Sequence, residues 1–181
     1  MRWPGPSHKI EELVEANYGA LYRYAFRLSG SAAEAEDLTQ DAFCQAQANL
    51  RQLREWDKAR AWLFTILRNA YLHRMRDRKI ENSVSLDCFG DLPDRPNEPL
   101  QEIDPGRLQD ALDELPEVFR TPVILFYFEE FSYRDIADQM GVPIGTIMSR
   151  LARAKAFLRG RLMQMPVLMD GNLTRRVEES A

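Results

Sequence analysis

The chain has 181 residues, 45% of them hydrophobic and 29% charged, with a formal net charge of −4, the balance of a soluble globular protein with room for one ordinary domain or two small ones. No apolar run reaches membrane-span length, and the opening Met1-Arg-Trp-Pro-Gly-Pro has no stretch of signal-peptide size, so no membrane insertion and a cytoplasmic location are expected. Cys44 and Cys88 lack a partner at CxxC spacing, and the only histidines are His8 and His73, which argues against a structural zinc site and leaves two isolated thiols.

The first half reads as three helices. Ile10, Leu13, Val14, Asn17, Leu21, Ala25 and Leu28 trace one face of the first, which Ser29-Gly30 ends. The second opens with a capping box at Ser31 and Glu34 and runs to about Leu50 with Leu38, Ala42 and Ala46 inward. Its other face holds Glu34, Asp37, Gln40 and Asp41. A loop around Arg54-Glu55-Trp56-Asp57 leads to a third helix, about Lys58 to Arg78, with Leu63, Ile66, Leu67 and Ala70 inside and a basic end. Trp62 is expected in the core.

Ile80 to Gly106 holds Pro93, Pro96, Pro99 and Pro105 and most of the acidic excess, and reads as a flexible acidic linker. Beyond it, Arg107 to Leu115 and Glu117 to Phe128 form two helices parted by Pro116. Next come two short helices in Ser132 to Lys155: Ser132 and Asp135 cap the first, Ile136, Ala137 and Met140 face inward, and Gly141-Val142-Pro143 turns the chain. In the second, Ile147, Leu151, Ala154 and Leu158 recur at i, i+4, i+7 and i+11, which turns Ser149, Ala152, Arg153 and Ala156 outward. A small, cationic outer face on the second helix of a helix-turn-helix suits base reading in the major groove. The expected fold is all-α, with two small helical domains, 1–79 and 107–163, a linker over 80–106 and a tail over 164–181.

Charge falls in blocks that the net value hides. Arg51 to Lys79 carries nine Lys/Arg against Glu55, Asp57 and Asp77, and Gln139 to Met169 has no acidic residue. Glu81 to Asp104 carries seven Asp/Glu and only Arg95, and Glu11 to Asp41 carries seven against Arg23 and Arg27. Two basic blocks imply two phosphate contacts, and the acidic ones imply a protein partner or self-masking.

Several pieces in this order resemble the bacterial sigma factors of the extracytoplasmic-function (ECF) class over roughly residues 9 to 163. Ala33-Glu-Ala-Glu-Asp-Leu-Thr-Gln-Asp-Ala-Phe43 is similar to the family's polymerase-binding helix. Ala61-Trp-Leu-Phe-Thr-Ile-Leu-Arg-Asn69 with Arg74-Met-Arg-Asp-Arg78 is similar to its −10 reading helix. Leu112-Asp-Glu-Leu-Pro-Glu-Val-Phe-Arg120 resembles the opening of sigma region four, and Gly145-Thr-Ile-Met-Ser-Arg-Leu-Ala-Arg153 resembles the −35 reading helix.

The resemblance implies that Glu34, Asp37, Gln40 and Asp41 meet core RNA polymerase, with Asp37 and Gln40 at the D-x-x-Q positions. It implies that Arg54, Trp56 and Lys58, in the loop before the third helix, act with Asn69 on an unstacked −10 base. A flipped base costs a few kcal/mol, which an amide and an aromatic ring can return. Arg68, Arg74, Arg76 and Arg78 would hold phosphates and add affinity rather than sequence choice. On the −35 helix it implies Thr146, Met148, Ser149, Arg150, Ala152, Arg153 and Arg159. Position 148 is Met where many members carry Lys or Arg, and 152 is Ala where some carry an aromatic residue, so direct readout is expected chiefly from Ser149 and Arg153.

No nucleophile, base and orienting group stand together, no Gly-rich phosphate loop follows a strand, and no metal spacing exists, so no catalytic residue, metal or cofactor is expected. The implied role is a specificity subunit that binds core polymerase and promoter DNA and aids −10 melting. An anti-sigma partner would hold it inactive, and it would be a monomer when free of partners. As a free coil the linker's roughly 27 residues span about 30 Å, but extended they reach roughly 90 Å, so an external support would hold two DNA-bound domains apart. The competing reading is a stand-alone helix-turn-helix repressor or activator.

Overall fold

The computed structural model describes residues 6–79 and 104–164, and the expectations for the linker over 80–103, for Cys88 and for the tail beyond residue 164 lie outside them. Seven α-helices stand among the described residues: α1 (Pro6–Ser29), α2 (Ala32–Asn49), α3 (Ala59–Lys79), α4 (Pro105–Asp113), α5 (Glu117–Tyr127), α6 (Tyr133–Met140) and α7 (Ile144–Gln164). Single 3₁₀ turns at Leu50–Gln52 and Trp56–Lys58 carry the chain from α2 to α3. No strand occurs among these residues, and none of the helices is long and apolar enough to cross a membrane.

The helix ends follow their sequence signals. Gly30 ends α1 at φ +70°, its amide on the Phe26 carbonyl at 2.8 Å. Ser31 caps α2 by accepting from the Glu34 amide at 3.4 Å, but its own amide is taken by Ser29 Oγ at 3.3 Å, so the predicted box is closed from the preceding turn. Asp104 caps α4, with Pro105 in the first turn, where a missing N–H costs nothing. The helix therefore starts two residues before the predicted Arg107. At α6 the Ser132–Asp135 box forms in both directions, each bond 3.2 Å. Gly141, at φ 63°, then turns the chain into α7.

Helices α1, α2 and α3 enclose one core around Leu21, Leu28, Leu38, Ala42, Leu63 and Leu67. On α3 the buried stripe is Leu63, Phe64, Leu67 and Tyr71; Ile66 and Ala70, expected inside, are half-buried, as is Trp62. The i, i+4, i+8 row through Leu63 is the one that faces both neighbouring helices, and Ile66 and Ala70 sit at its edge. Asn17, on the apolar face of α1, is buried and donates to the Leu13 carbonyl at 3.0 Å. Helices α4 to α7 pack around Leu112, Leu115, Ile124, Ile136, Ile147 and Leu151. Ala154 completes the α7 stripe, and Met140, Leu158 and the outward-assigned Ala156 are half-buried.

The two units meet along a seam that composition did not announce. Phe64 of α3 lies between Tyr24 of α1, at 4.9 Å between centroids, and Phe131 from the turn before α6, at 5.0 Å. The last carbonyls of α1, which have no partner inside their helix, are met from the second unit. Arg120 Nη1 donates to Leu28 O at 2.8 Å and Gln109 Nε2 to Arg27 O at 3.3 Å. Arg27 lies over the Phe128 ring at 4.0 Å, where a cation is attracted by the ring face. One apolar cluster therefore runs through both units.

Candidate nucleic-acid interface

On α2, burial of Ala35, Leu38, Ala42 and Ala46 fixes which side is left for contact. Asp37, Gln40 and Asp41 are exposed on that side, and Glu34 is half-buried beside them. Asp41 is engaged by Arg74 Nη2 of α3, so an acidic residue assigned to polymerase and a cation assigned to DNA neutralise one another. Asp37 and Gln40 thus form the open part of the predicted face.

The −10 candidates divide into three groups. Arg54, Trp56 and Lys58 stand exposed in the turn before α3, with Trp56 39% exposed and the Lys9 ammonium 5.6 Å from its ring centroid. Lys58 pairs with Glu55 at 2.6 Å in full solvent. Asn69 and Arg76 are exposed on α3, and the Arg78 side chain lies outside the described residues. Arg68 is engaged within the protein. Its side chain is only 12% exposed, and its Nε and Nη2 both donate to Glu117 Oε1 of α5, at 3.1 and 2.9 Å. In this arrangement the guanidinium closes the seam rather than facing phosphate.

A second charged pair closes the seam's other end. Arg60 donates from Nη1 to the Glu129 carbonyl at 2.8 Å and from Nη2 to Glu129 Oε2 at 3.0 Å. Burial pushes the Glu129 carboxyl up from its ordinary value, while Arg60, Arg23 and Arg27 pull it down. Arg60, Glu117, Arg120 and Glu129 escaped the sequence reading. The one available signal was a Glu129-Glu130 pair directly after an apolar helix.

On α7 the inward row Ile147, Leu151 and Ala154 is buried, and Met148, Ser149, Ala152 and Arg153 are exposed, as the spacing predicts. Thr146, Arg150 and Arg159 are half-buried. The Ser149 hydroxyl donates to the Thr146 carbonyl at 3.0 Å, which spends its one proton on its own helix. Arg161, further along, holds Glu114, the residue just past α4, at 2.9 and 2.6 Å and so ties the end of α7 to it. Among the described residues, no three His, Cys, Asp or Glu side chains converge as a metal site requires.

Comparison with known proteins gives two family matches in chain order: Sigma-70 region 2 over residues 13–80 and Sigma-70 region 4 over residues 106–158. The ECF RNA polymerase sigma factor EcfG of Rhodopseudomonas palustris is 35% identical over 84% of this chain and 84% of its own. SigL of Mycobacterium tuberculosis is 32% identical over 87% of this chain and 91% of its own. SigE of Mycolicibacterium smegmatis is 34% identical over 84% of this chain, which spans 61% of that longer protein. Among solved structures, the sigma factor RpoE of Bartonella quintana, determined with the anti-sigma factor NepR, matches with a TM-score of 0.69 at 31% identity, covering 86% of this chain and 98% of that one. Matched in both sigma regions and across nearly the whole length of such relatives, the chain belongs to the ECF sigma factors.

Proposed function

We propose that the chain binds core RNA polymerase through the exposed Asp37–Gln40 side of α2, reads the −10 element with α3 and its preceding turn, and reads the −35 element with α7. The observation that carries this reading is the division of labour on α2. Leu38 and Ala42 hold the core, and Asp37 and Gln40 stand in solvent with no duty in the fold. On α3, Asn69 and Trp56 would take an unstacked −10 base, aiding melting, and the neighbouring arginines would hold phosphates. Work on promoters inside the cell makes the cytoplasm its place of action.

For both elements to be reached at once the seam has to part, since Arg68 is held by Glu117 while it is closed. The polymerase would supply the support that keeps the units open. An anti-sigma partner is supported by the similarity to RpoE, which was determined with one, and by this reading such a partner would act on the closed form.

Run-off transcription with purified core polymerase tests the reading. The chain should make core initiate at a defined start, and the double variant Asp37→Ala, Gln40→Ala should lose core binding with its helical circular dichroism unchanged. Specific DNA binding with no effect on initiation would favour the stand-alone regulator.

A further inference from the structure

The outer face of α7 is not the uniformly polar surface that its neighbourhood suggests. Ile144, Met148 and Ala152 recur at i, i+4 and i+8 and are all exposed, Met148 at 54% and Ile144 at 44%. Beside them runs a second row, Gly145, Ser149 and Arg153, also exposed. Gly145 leaves open space on that side, since a Cβ placed there meets nothing within 4 Å. Among the exposed residues of the first two turns Met148 therefore has the longest side chain, and the adjacent hydroxyl of Ser149 donates its hydrogen bond to the Thr146 carbonyl.

An exposed apolar row needs an occupant, and the charge around it selects one. No acidic residue occurs from Gln139 to Met169, and Arg150, Arg153, Lys155 and Arg159 flank the row. Such a helix fits a polyanion, and within duplex DNA the apolar feature of the major groove is the thymine C5-methyl group. Methionine suits that contact because its unbranched thioether adapts to the position of the methyl.

Resting on the proposed −35 role of α7, we propose that Met148, backed by Ile144 and Ala152, selects a thymine at one −35 position through its C5-methyl group. Cytosine carrying a 5-methyl group displays the same feature and substitutes for thymine at this contact better than plain cytosine does. A lysine or arginine at 148 would donate to guanine instead, so Met148 exchanges a guanine preference for a methyl preference.

The test uses the full chain with purified core polymerase, selecting from duplex promoter fragments randomised over the −35 element. Each thymine of the recovered sequence is then replaced in turn by 2′-deoxyuridine, which removes only the methyl. The expected result is about a fourfold loss of holoenzyme binding at one thymine and none at the others, the scale of one buried methyl group. Met148→Ala should abolish that sensitivity, and Met148→Lys should move the selected base towards guanine. Insensitivity to deoxyuridine at every thymine, or sensitivity that survives Met148→Ala, overturns the inference. If the recovered DNA still supports initiation in that case, the sigma reading stands without it. Failure of core and chain to recover any sequence overturns both.

Discussion

Arg60 and Glu129 bind each other across the seam at two points, the guanidinium taking both the backbone carbonyl and the carboxylate of a residue that is 3% exposed. Arg68 and Glu117 pair further along, with both guanidinium donors on one carboxylate oxygen. The start of α3 meets the turn after α5, and the middle of α3 meets the first turn of α5, with Phe64 and Tyr24 between. Charged ends with an aromatic middle fix a register that apolar packing alone would leave free to slide. They also give the seam a weakness, because each carboxylate takes its cross-seam hydrogen bonds from a single arginine, Arg60 for Glu129 and Arg68 for Glu117.

Arg60→Ala should destabilise the chain by about 1–3 kcal/mol, since it leaves the Glu129 carboxylate buried without its main donor. Glu129→Gln should cost far less, because the neutral amide still accepts from Arg60. Its pH dependence follows from the raised native pKa of Glu129. A native pKa above the unfolded one means that the carboxyl's contribution to stability is fully present below the unfolded value, near 4.5, and is lost as pH rises through the native value. The stability of Glu129→Gln relative to the parent should therefore rise from below pH 4.5 towards neutrality. Denaturant titrations at several pH values check this, and a constant difference would mean that Glu129 keeps its ordinary pKa.

Glu117→Gln tests the other end. Glu117 Oε1 accepts two bonds from Arg68 and one from Thr121 Oγ1 at 3.0 Å, so its charge is the reason that Arg68 turns inward. With that charge removed, Arg68 should become available to phosphate. Affinity for duplex DNA of arbitrary sequence should increase and its log–log salt slope steepen by about one unit. Fluorescence anisotropy over a salt series measures both. An unchanged slope would show that Arg68 stays away from DNA even when released.

The helices and both inner cores were legible because each depends on contacts within a few turns: the Ile147, Leu151 and Ala154 spacing fixes α7, and Ser132 with Asp135 fixes the start of α6. The exposed side of α2 was legible for the same reason, since whatever Leu38 and Ala42 bury leaves Asp37 and Gln40 outside. The seam was not. Arg60 and Glu129 are 69 positions apart, and nothing local distinguishes an arginine bound for phosphate from one bound for a carboxylate. Arg68 shows the consequence: its residue type and place in the basic block fit DNA, and its partner is decided by how the two units dock.

Glu130 is the one described non-glycine residue with positive φ, at 58°, in the turn that delivers Glu129 to Arg60 and Phe131 to Phe64. An L-residue pays roughly 1 kcal/mol for that conformation, which glycine adopts freely. Glu130→Gly should therefore hold or raise stability by up to about 1 kcal/mol, against the usual loss that glycine brings. A clear fall in thermal midpoint would show that the Glu130 side chain supports the turn.

Gly30 and Gly141 both sit in the left-handed region, at φ 70° and 63°, but their surroundings differ. A Cβ on Gly141 meets nothing within 4 Å, so Gly141→Ala should cost only the backbone term, roughly 1 kcal/mol. A Cβ on Gly30 would stand 2.8 Å from Asp113 Oδ2. Asp113 cannot yield freely, because its Oδ1 accepts from Gln109 at 3.1 Å and from Arg120 at 3.3 Å, and those two residues also hold the end of α1. Gly30→Ala should thus cost more than Gly141→Ala and loosen the seam as well. The excess belongs to the contact with Asp113, so a double-mutant cycle isolates it. In an Asp113→Ala background the penalty of Gly30→Ala should fall to the level of Gly141→Ala. An undiminished penalty there would place the strain in the α1–α2 turn itself rather than at the junction of the two units.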